Sequence, residues 1–172
     1  MYWAVSKNAA EGEHDVSVEG VKDVLLDLCA GWLEPVEDLI SATNASTILR
    51  TDVYDRDPPT RRWGEGRVTL IGDAAHPMTP DLGQGACQAI EDAVALANHL
   101  SRQTTGNVAA ALELYETRRV RRTAAIVRGS RRTGQVAQLQ NPLLCLLRNA
   151  ALKALPSRSQ MKQLEAIMGY EE

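Results

Sequence analysis

The residues best suited to chemistry lie in one stretch, Arg67 to Asp92, RVTLIGDAAHPMTPDLGQGACQAIED. Asp73 stands at the carboxyl end of an aliphatic run, where open α/β sheets bind their ligands. Its carboxylate can accept two hydroxyl hydrogen bonds, which suits a polyol or ribose-like chain. Gly72 carries no Cβ, so a ligand can come close to the backbone there. Gly83-Gln84-Gly85 then opens a helical pattern. A helix start carries about half a positive charge and several unpaired N–H groups, suited to an anion or an electron-rich carbonyl. Pro77 and Pro80 stiffen the intervening loop and hold those amides in place beforehand. Together these residues describe a site for a ligand with a polyol part and an electron-rich head.

Other readings of the same residues are weaker. Gln88 stands where a dinucleotide-binding Gly-x-Gly-x-x-Gly would need its third glycine, and no Gly-Lys-Ser/Thr follows to make a P-loop. His76 as a general base lacks an acidic partner assignable by spacing. Cys87 as a redox nucleophile lacks a nearby resolving cysteine. Each short piece taken alone is also compatible with an ordinary strand end and helix entry.

Several elements must position this stretch. Val68-Thr69-Leu70-Ile71 reads as a buried strand. From Gly85, the residues Ala86, Ala89, Ile90, Ala93, Val94, Ala97 and Leu100 form a helical stripe expected to face inward. Gly106 and Asn107 break it. A long helix is expected from Val108 towards Arg132, with Leu112, Tyr115, Ala124 and Val127 inward and Gly129 and Gly134 weakening its end. Pro142 restarts a helix through Leu152, closed by Pro156, and the apolar segment Leu143 to Leu155 is expected to pack against the rest of the protein. Upstream, Tyr2 to Val5 reads as a strand and Asn8 to Ser17 as a loop. Val18 to Cys29 reads as an amphipathic helix capped by Gly31. Pro35 opens a short helix to about Ser41. Ile48 to Tyr54 reads as a strand stopped by Asp57-Pro58-Pro59, and Trp63 to Gly66 as a turn.

Composition bounds the protein class. The 172 residues are 44% hydrophobic and 24% charged, which supports a packed core and argues against wholesale disorder. No run of 18 apolar residues exists, so no transmembrane helix is expected, and the start lacks the pattern of a secretory signal. Cys29, Cys87 and Cys145 suggest neither a disulfide framework nor a metal site, and fit a reducing, cytoplasmic setting. Residues 1–100 hold 17 acidic and 7 basic side chains, whereas residues 101–172 hold 5 and 12. Seven arginines fall between Arg118 and Arg132. Pairing with acidic surfaces nearby is the simpler reading. The alternative is a non-catalytic binding or assembly module using helix 118–132, although no aromatic residue interleaves these arginines to stack on nucleic-acid bases.

Three motifs carry a family resemblance: Gly72-Asp73-Ala74-Ala75-His76, Pro80-Asp81-Leu82-Gly83-Gln84-Gly85 and Glu91-Asp92-Ala93. They resemble the second flavin motif of the single-component FAD-dependent aromatic hydroxylases, closest to the urate hydroxylase, zeaxanthin epoxidase and salicylate hydroxylase branch. Tyr54-Asp55-Arg56, Trp63-Gly64, Gly66 to Leu70 and Tyr115-Glu116 with Arg119 and Arg122 extend it. The resemblance implies an α/β fold. This would be a partial FAD/NAD(P)-binding Rossmann-like domain with a helix-rich carboxyl-terminal half, lacking the amino-terminal βαβ unit with its Gly-x-Gly-x-x-Gly turn. Residues 1–55 would be a remnant of the substrate-binding domain, 56–134 the carboxyl-terminal part of the FAD-binding domain, and 135–172 a helical extension. Asp73, with Gly72 beside it, would bind the ribityl chain. The backbone of Gly83, Gln84, Gly85, Ala86 and Cys87 would face the pyrimidine edge of the isoalloxazine, and Pro80 its reactive face. Many relatives carry Asn where Cys87 stands.

The implied activity is NADH- or NADPH-dependent hydroxylation or epoxidation of an aromatic or other electron-rich small molecule. It would use O2 through a flavin C4a-hydroperoxide, with the protein orienting and shielding the cofactor. No catalytic side chain and no metal are implied, and neither is a nucleic-acid partner. The chain alone is expected to be inactive and to bind FAD weakly, with an amino-terminal half as its missing partner.

Overall fold

Five α-helices carry nearly all the regular structure: α1 (Gly20–Leu28), α2 (Val36–Ala42), α3 (Gly85–Ser101), α4 (Val108–Ala137) and α5 (Pro142–Ala154). Short 3-10 turns lie at Ala45–Thr47, Gly72–Ala74 and Pro80–Leu82. The computed structural model describes residues 2–13, 17, 20–58, 62–102, 106–156, 158, 161, 162, 165, 167 and 169. The backbone divides into two compact units, Met1–Val53 and Tyr54–Glu172.

In the first unit α1 and α2 enclose a small interior containing Cys29 and Ile40. Residues 18 and 19, expected to begin the first helix, and residues 14–16 of the expected loop lie outside the described residues. Gly31 turns the chain after α1 with φ +76°. Its N–H donates to Glu37 Oε1 at 2.8 Å, so the acidic first turn of α2 fastens the connection. Lys22 Nζ donates to the Ser41 carbonyl at 2.6 Å, and the Trp3 indole N–H to Thr43 Oγ1 at 2.9 Å.

The three segments expected as strands, Tyr2 to Val5, Ile48 to Tyr54 and Val68 to Ile71, form no ladder. Among the described residues the only β-bridge joins Glu65 to Val68 across a turn that includes Gly66. Residue 59 of the expected strand stop lies outside the described residues. A strand exists through its hydrogen-bonded neighbour, and no described segment supplies one. The α/β expectation is therefore corrected: the described part of this chain is helical.

In the second unit α3 packs along α4, with the Gly72–Ala74 turn against α3 and the Pro80–Leu82 turn against α4. Leu112, Tyr115, Ala124 and Val127 are buried on α4 as expected. Asn107 caps that helix by accepting from the Ala110 N–H at 3.2 Å. The helix continues through Gly129 and Gly134 rather than ending near Arg132. Here the glycines make room: a Cβ on Gly134 would lie 2.5 Å from Asp81 Oδ2, and one on Gly129 would lie 3.4 Å from Leu82 Cδ1.

The orientation of α3 is opposite to expectation. Its buried residues are Gln88, Asp92, Ala95 and His99, while Ala86, Ile90, Ala93, Val94, Ala97 and Leu100 are exposed. The polar face is inward because α4 supplies partners for every charge on it, as the next subsection details. Nor does α5 bury a residue, so the expected packing of Leu143 to Leu155 is absent among the described residues. It is tied to the end of α4 through Arg148, which donates to the carbonyls of Val136 at 3.1 Å and Ala137 at 2.8 Å. This meets acceptors that a helix end leaves open.

Candidate functional site

Residues 68–71, ending in the extended Ile71, lead into Gly72, which has φ +56°. A Cβ at this position would lie 3.2 Å from the Ala89 Cβ. Glycine is thus required by the left-handed backbone and by close packing on α3. Its N–H donates to Asp92 Oδ2 at 2.8 Å. Gly72 is buried, so the approach its missing side chain permits is that of α3 rather than of a ligand.

Asp73 follows on the exposed side of the turn. Its Oδ1 lies 4.0 Å from where a Cβ on Gly85 would sit, so the carboxylate faces the start of α3. The Pro80–Leu82 turn ends at Gly83, whose φ of +62° redirects the chain into Gln84 and then α3. The Gln84 side chain does not cap the helix. Pro80, Gly83, Ala86 and Cys87 are exposed, and Gln84 and Gly85 half-buried. Asp73 and the helix start are therefore brought together at the surface, with Gly72 behind them.

The loop is held from the rear by α4. Ser130 Oγ accepts from Thr79 Oγ1 at 3.0 Å and from the Leu82 N–H at 3.3 Å, and donates to the Thr79 carbonyl at 2.6 Å. Arg56 donates to the carbonyls of Ala74 at 2.8 Å and Ala75 at 3.0 Å, fixing the turn that bears Asp73.

Beneath the loop lies a buried ionic network. Asp92 Oδ2 also meets His76 Nε2 at 2.6 Å, and Asp92 Oδ1 accepts from Arg119 Nε at 2.7 Å. Arg119 continues to Glu91 Oε2 at 2.6 Å and to Gln88 Oε1 at 2.8 Å. Arg122 grips Glu91 with two hydrogen bonds, of 2.6 and 2.7 Å, and also donates to the Ile167 carbonyl at 2.9 Å. Burial acts to raise the Asp92 carboxyl pKa, but hydrogen bonds from His76, Gly72 and Arg119 hold it below the usual carboxylate range. Glu91 is likewise held low against burial by Arg122 and Arg119. Burial acts against the Arg119 charge, yet its bonds to Asp92 and Glu91 keep it firmly protonated.

An apolar layer adjoins the network. Trp63 packs its ring against those of His76 and Tyr115, with centroids 5.4 and 5.8 Å apart. Glu116 accepts from the Trp63 N–H at 3.1 Å and from Thr69 Oγ1 at 2.7 Å. Burial pushes the Tyr115 phenol well above its usual pKa, so it stays a donor, to the Leu70 carbonyl at 3.2 Å.

Spacing failed to find the carboxylate partner of His76, which is Asp92. With both side chains fully buried, the pair braces the loop from inside. A signal was available: Gln88, Asp92, Ala95 and His99 recur with helical spacing, opposite a stripe assumed to be inward. Three of the seven clustered arginines, Arg119, Arg122 and Arg131, are engaged by carboxylates; Arg131 pairs with Asp55 at 2.7 Å and with Asp57. Among the described residues no cluster of three metal-ligating side chains occurs, and no helix is long and apolar enough to cross a membrane.

Residues 37–130 match the FAD binding domain family, more than half of the chain, and the protein belongs to that family. It is 44% identical to the aurachin C monooxygenase/isomerase of Stigmatella aurantiaca over 91% of this chain and 39% of that protein. It is 40% identical to a chloroplastic zeaxanthin epoxidase of Oryza sativa over 84% of this chain and 23% of that one. Its backbone matches that of a Klebsiella pneumoniae HpxO variant in complex with FAD. The TM-score is 0.82 at 30% identity, covering 92% of this chain and 41% of that one. HpxO with FAD and uric acid gives 0.80 at 31% identity, covering 89% of this chain and 39% of that one. The chain is thus part of an FAD-binding monooxygenase fold, and it spans less than half the length of these relatives.

Proposed function

We propose that this chain forms the carboxyl-terminal part of the flavin site of an FAD-dependent monooxygenase. The observation that carries the reading is the exposed Asp73 carboxylate facing the uncapped start of α3. The donor set fits FAD. Asp73 would accept hydroxyl hydrogen bonds from the ribityl chain. Amides from Gln84 to Cys87 would donate to the pyrimidine edge, where the helix start favours negative charge, while the Gly83 N–H is taken by the Pro80 carbonyl at 2.8 Å. Pro80, exposed beside the helix start, would border the reactive face. Ser130, Arg56 and the Asp92 network keep this frame rigid before the cofactor arrives.

When bound, FAD supplies the redox chemistry: one oxygen atom of O2 enters an electron-rich small molecule and the other leaves as water, with NADH or NADPH as reductant. Residues 1–55 would be a remnant of the substrate-binding domain, residues 56–134 the cofactor part and residues 135–172 a helical extension. The identity of the electron-rich substrate belongs to the part of the enzyme that this chain does not span.

FAD retention tests the reading. The chain alone is expected to bind FAD weakly, by quenching of flavin fluorescence, and to oxidise no NADH. Co-expression with the part of the aurachin C monooxygenase/isomerase outside the matched segment is expected to yield a yellow protein. Loss of hydrogen bonds to a charged group, worth ~1.5–3 kcal/mol, predicts at least a tenfold fall in FAD affinity for Asp73→Ala. An Asp73→Ala protein that holds flavin as tightly as the unaltered one would overturn the assignment.

A further inference from the structure

Along α5 only Cys145 and Arg148 are half-buried, and both serve the protein. The Cys145 thiol donates to the Leu139 carbonyl at 3.0 Å, and Arg148 holds the end of α4. The opposite side is an apolar arc of Leu143, Leu146, Leu147, Ala150 and Ala154, spaced as one helix face and exposed throughout. Leu143 is 64% exposed, Leu146 66% and Leu147 57%. Neighbouring leucines at that exposure make a patch, unlike the scattered apolar residues ordinary on a surface.

The charge around this arc has one sign. No Asp or Glu occurs between Glu116 and Glu165. Lys153 flanks the arc, and Arg158 and Lys162 follow it, all three exposed. On α4 the exposed Arg118, Arg121, Arg128 and Arg132 recur along the side opposite its buried residues. Among the described residues no carboxylate pairs with these four.

Leucines and cations together select the occupant. A second copy would set the basic flank of α5 against its own like charge, with no carboxylate in the stretch to answer it. A small anion would leave the leucines in water. A bilayer with anionic headgroups meets both features, because acyl chains take the leucines and headgroups take the cations. With 13 residues α5 is about 20 Å long, short of the ~30 Å hydrocarbon core, so it suits lying along the surface rather than crossing it.

We propose that α5 is an interfacial anchor that seats this chain on an anionic lipid surface. Leu143, Leu146 and Leu147 enter the acyl boundary, and Lys153, Arg158 and Lys162 meet the headgroups. The arginine side of α4 adds attraction at longer range. The anchor uses no residue of the Asp73 site and needs no flavin.

The test is co-flotation of the 172-residue chain with vesicles, without added FAD. The vesicles are phosphatidylcholine alone, or phosphatidylcholine with an equal part of phosphatidylglycerol. Binding to the mixed vesicles is expected to exceed binding to phosphatidylcholine by about tenfold or more, and to weaken as salt is raised. Leu146→Ser with Leu147→Ser is expected to lower binding to the mixed vesicles by about tenfold or more. Its thermal melt should be unchanged, because both side chains are exposed in the free chain. Lys153→Gln with Lys162→Gln is expected to lower binding by about tenfold and to flatten the salt dependence. No binding to the mixed vesicles, equal binding to both kinds, or binding indifferent to the leucine pair overturns the proposal. A dimer that the leucine pair dissociates, without flotation, assigns the arc to a second copy and overturns it too. So does flotation that ends once the complementary part of an FAD-binding monooxygenase is bound, which assigns the arc to that part. With flavin absent throughout, none of these outcomes bears on whether Asp73 holds FAD.

Discussion

The two sides of α3 follow opposite rules. Towards α4 it buries Gln88, Asp92 and His99, residues that hydropathy alone would leave in water. Away from α4 it exposes Ile90 and Val94, residues that hydropathy alone would bury. The inner side is stable because its charges are satisfied: Asp92 has His76, Gly72 and Arg119 around it, and Glu91 has Arg119 and Arg122. A buried polar group is tolerated when its hydrogen bonds are made and costly when they are not. The outer side meets no described neighbour. An apolar stripe of helical spacing therefore does not by itself say which face of a helix is buried within the described residues.

The sharpest way to break this contrast is to cut the inner side and spare the outer. Asp92→Ala leaves the buried Arg119 and His76 without their shared carboxylate. It is expected to lower unfolding free energy by about 3–5 kcal/mol, read from the midpoint of urea unfolding. Ile90→Ser on the outer side is expected to change it by no more than about 0.5 kcal/mol. Equal losses from the two would erase the distinction.

Acid provides a second probe of the inner side. The folded-state values of Asp92 and Glu91 lie below their ordinary 3.8 and 4.5, so the unfolded chain takes up these protons first. The stabilisation is complete above those ordinary values and is lost as pH falls through the lower, folded ones. Unfolding free energy is expected to hold steady from neutrality to mild acid and then drop, with a shallower drop in Asp92→Asn. A profile unchanged by that substitution would remove Asp92 from the account.

A smaller effect than at Asp92 is expected at Ser130, which joins the helix pair to the exposed loop. Ser130→Ala removes the hydroxyl that serves Thr79 and Leu82 and is expected to cost about 1 kcal/mol. Amides of residues 79–83 should exchange faster, with the α3–α4 contact unaffected. If those amides keep their protection, the loop is held by Asp81 and Leu82 against the α4 glycines instead.

Much of this was legible in the residues. The starts of α3 at Gly85 and of α4 at Val108 and the break at Gly106 follow from local preferences, which a short window contains, whereas the end of α4 at Ala137 does not. The meeting of Asp73 with the start of α3 was legible too, because one loop joins them. The strands were not, since β propensity describes a segment and the ladder needs a second one. Nor was the identity of the inward face: Asp92 and Arg119 are 27 residues apart, and nothing in either local pattern announces the pairing.

By itself, then, the amino-acid order determined where α3 and α4 begin, which carboxylate stands beside which helix start, and which family the motifs resemble. These depend on torsional preference and on contacts within a few residues. Only the tertiary structure decided that α3 turns its charged side inward, that His76 is a brace, and that the α4 glycines serve packing. Whether a charge can be buried depends on the geometry of partners far away in sequence, and that geometry exists only after the helices have met.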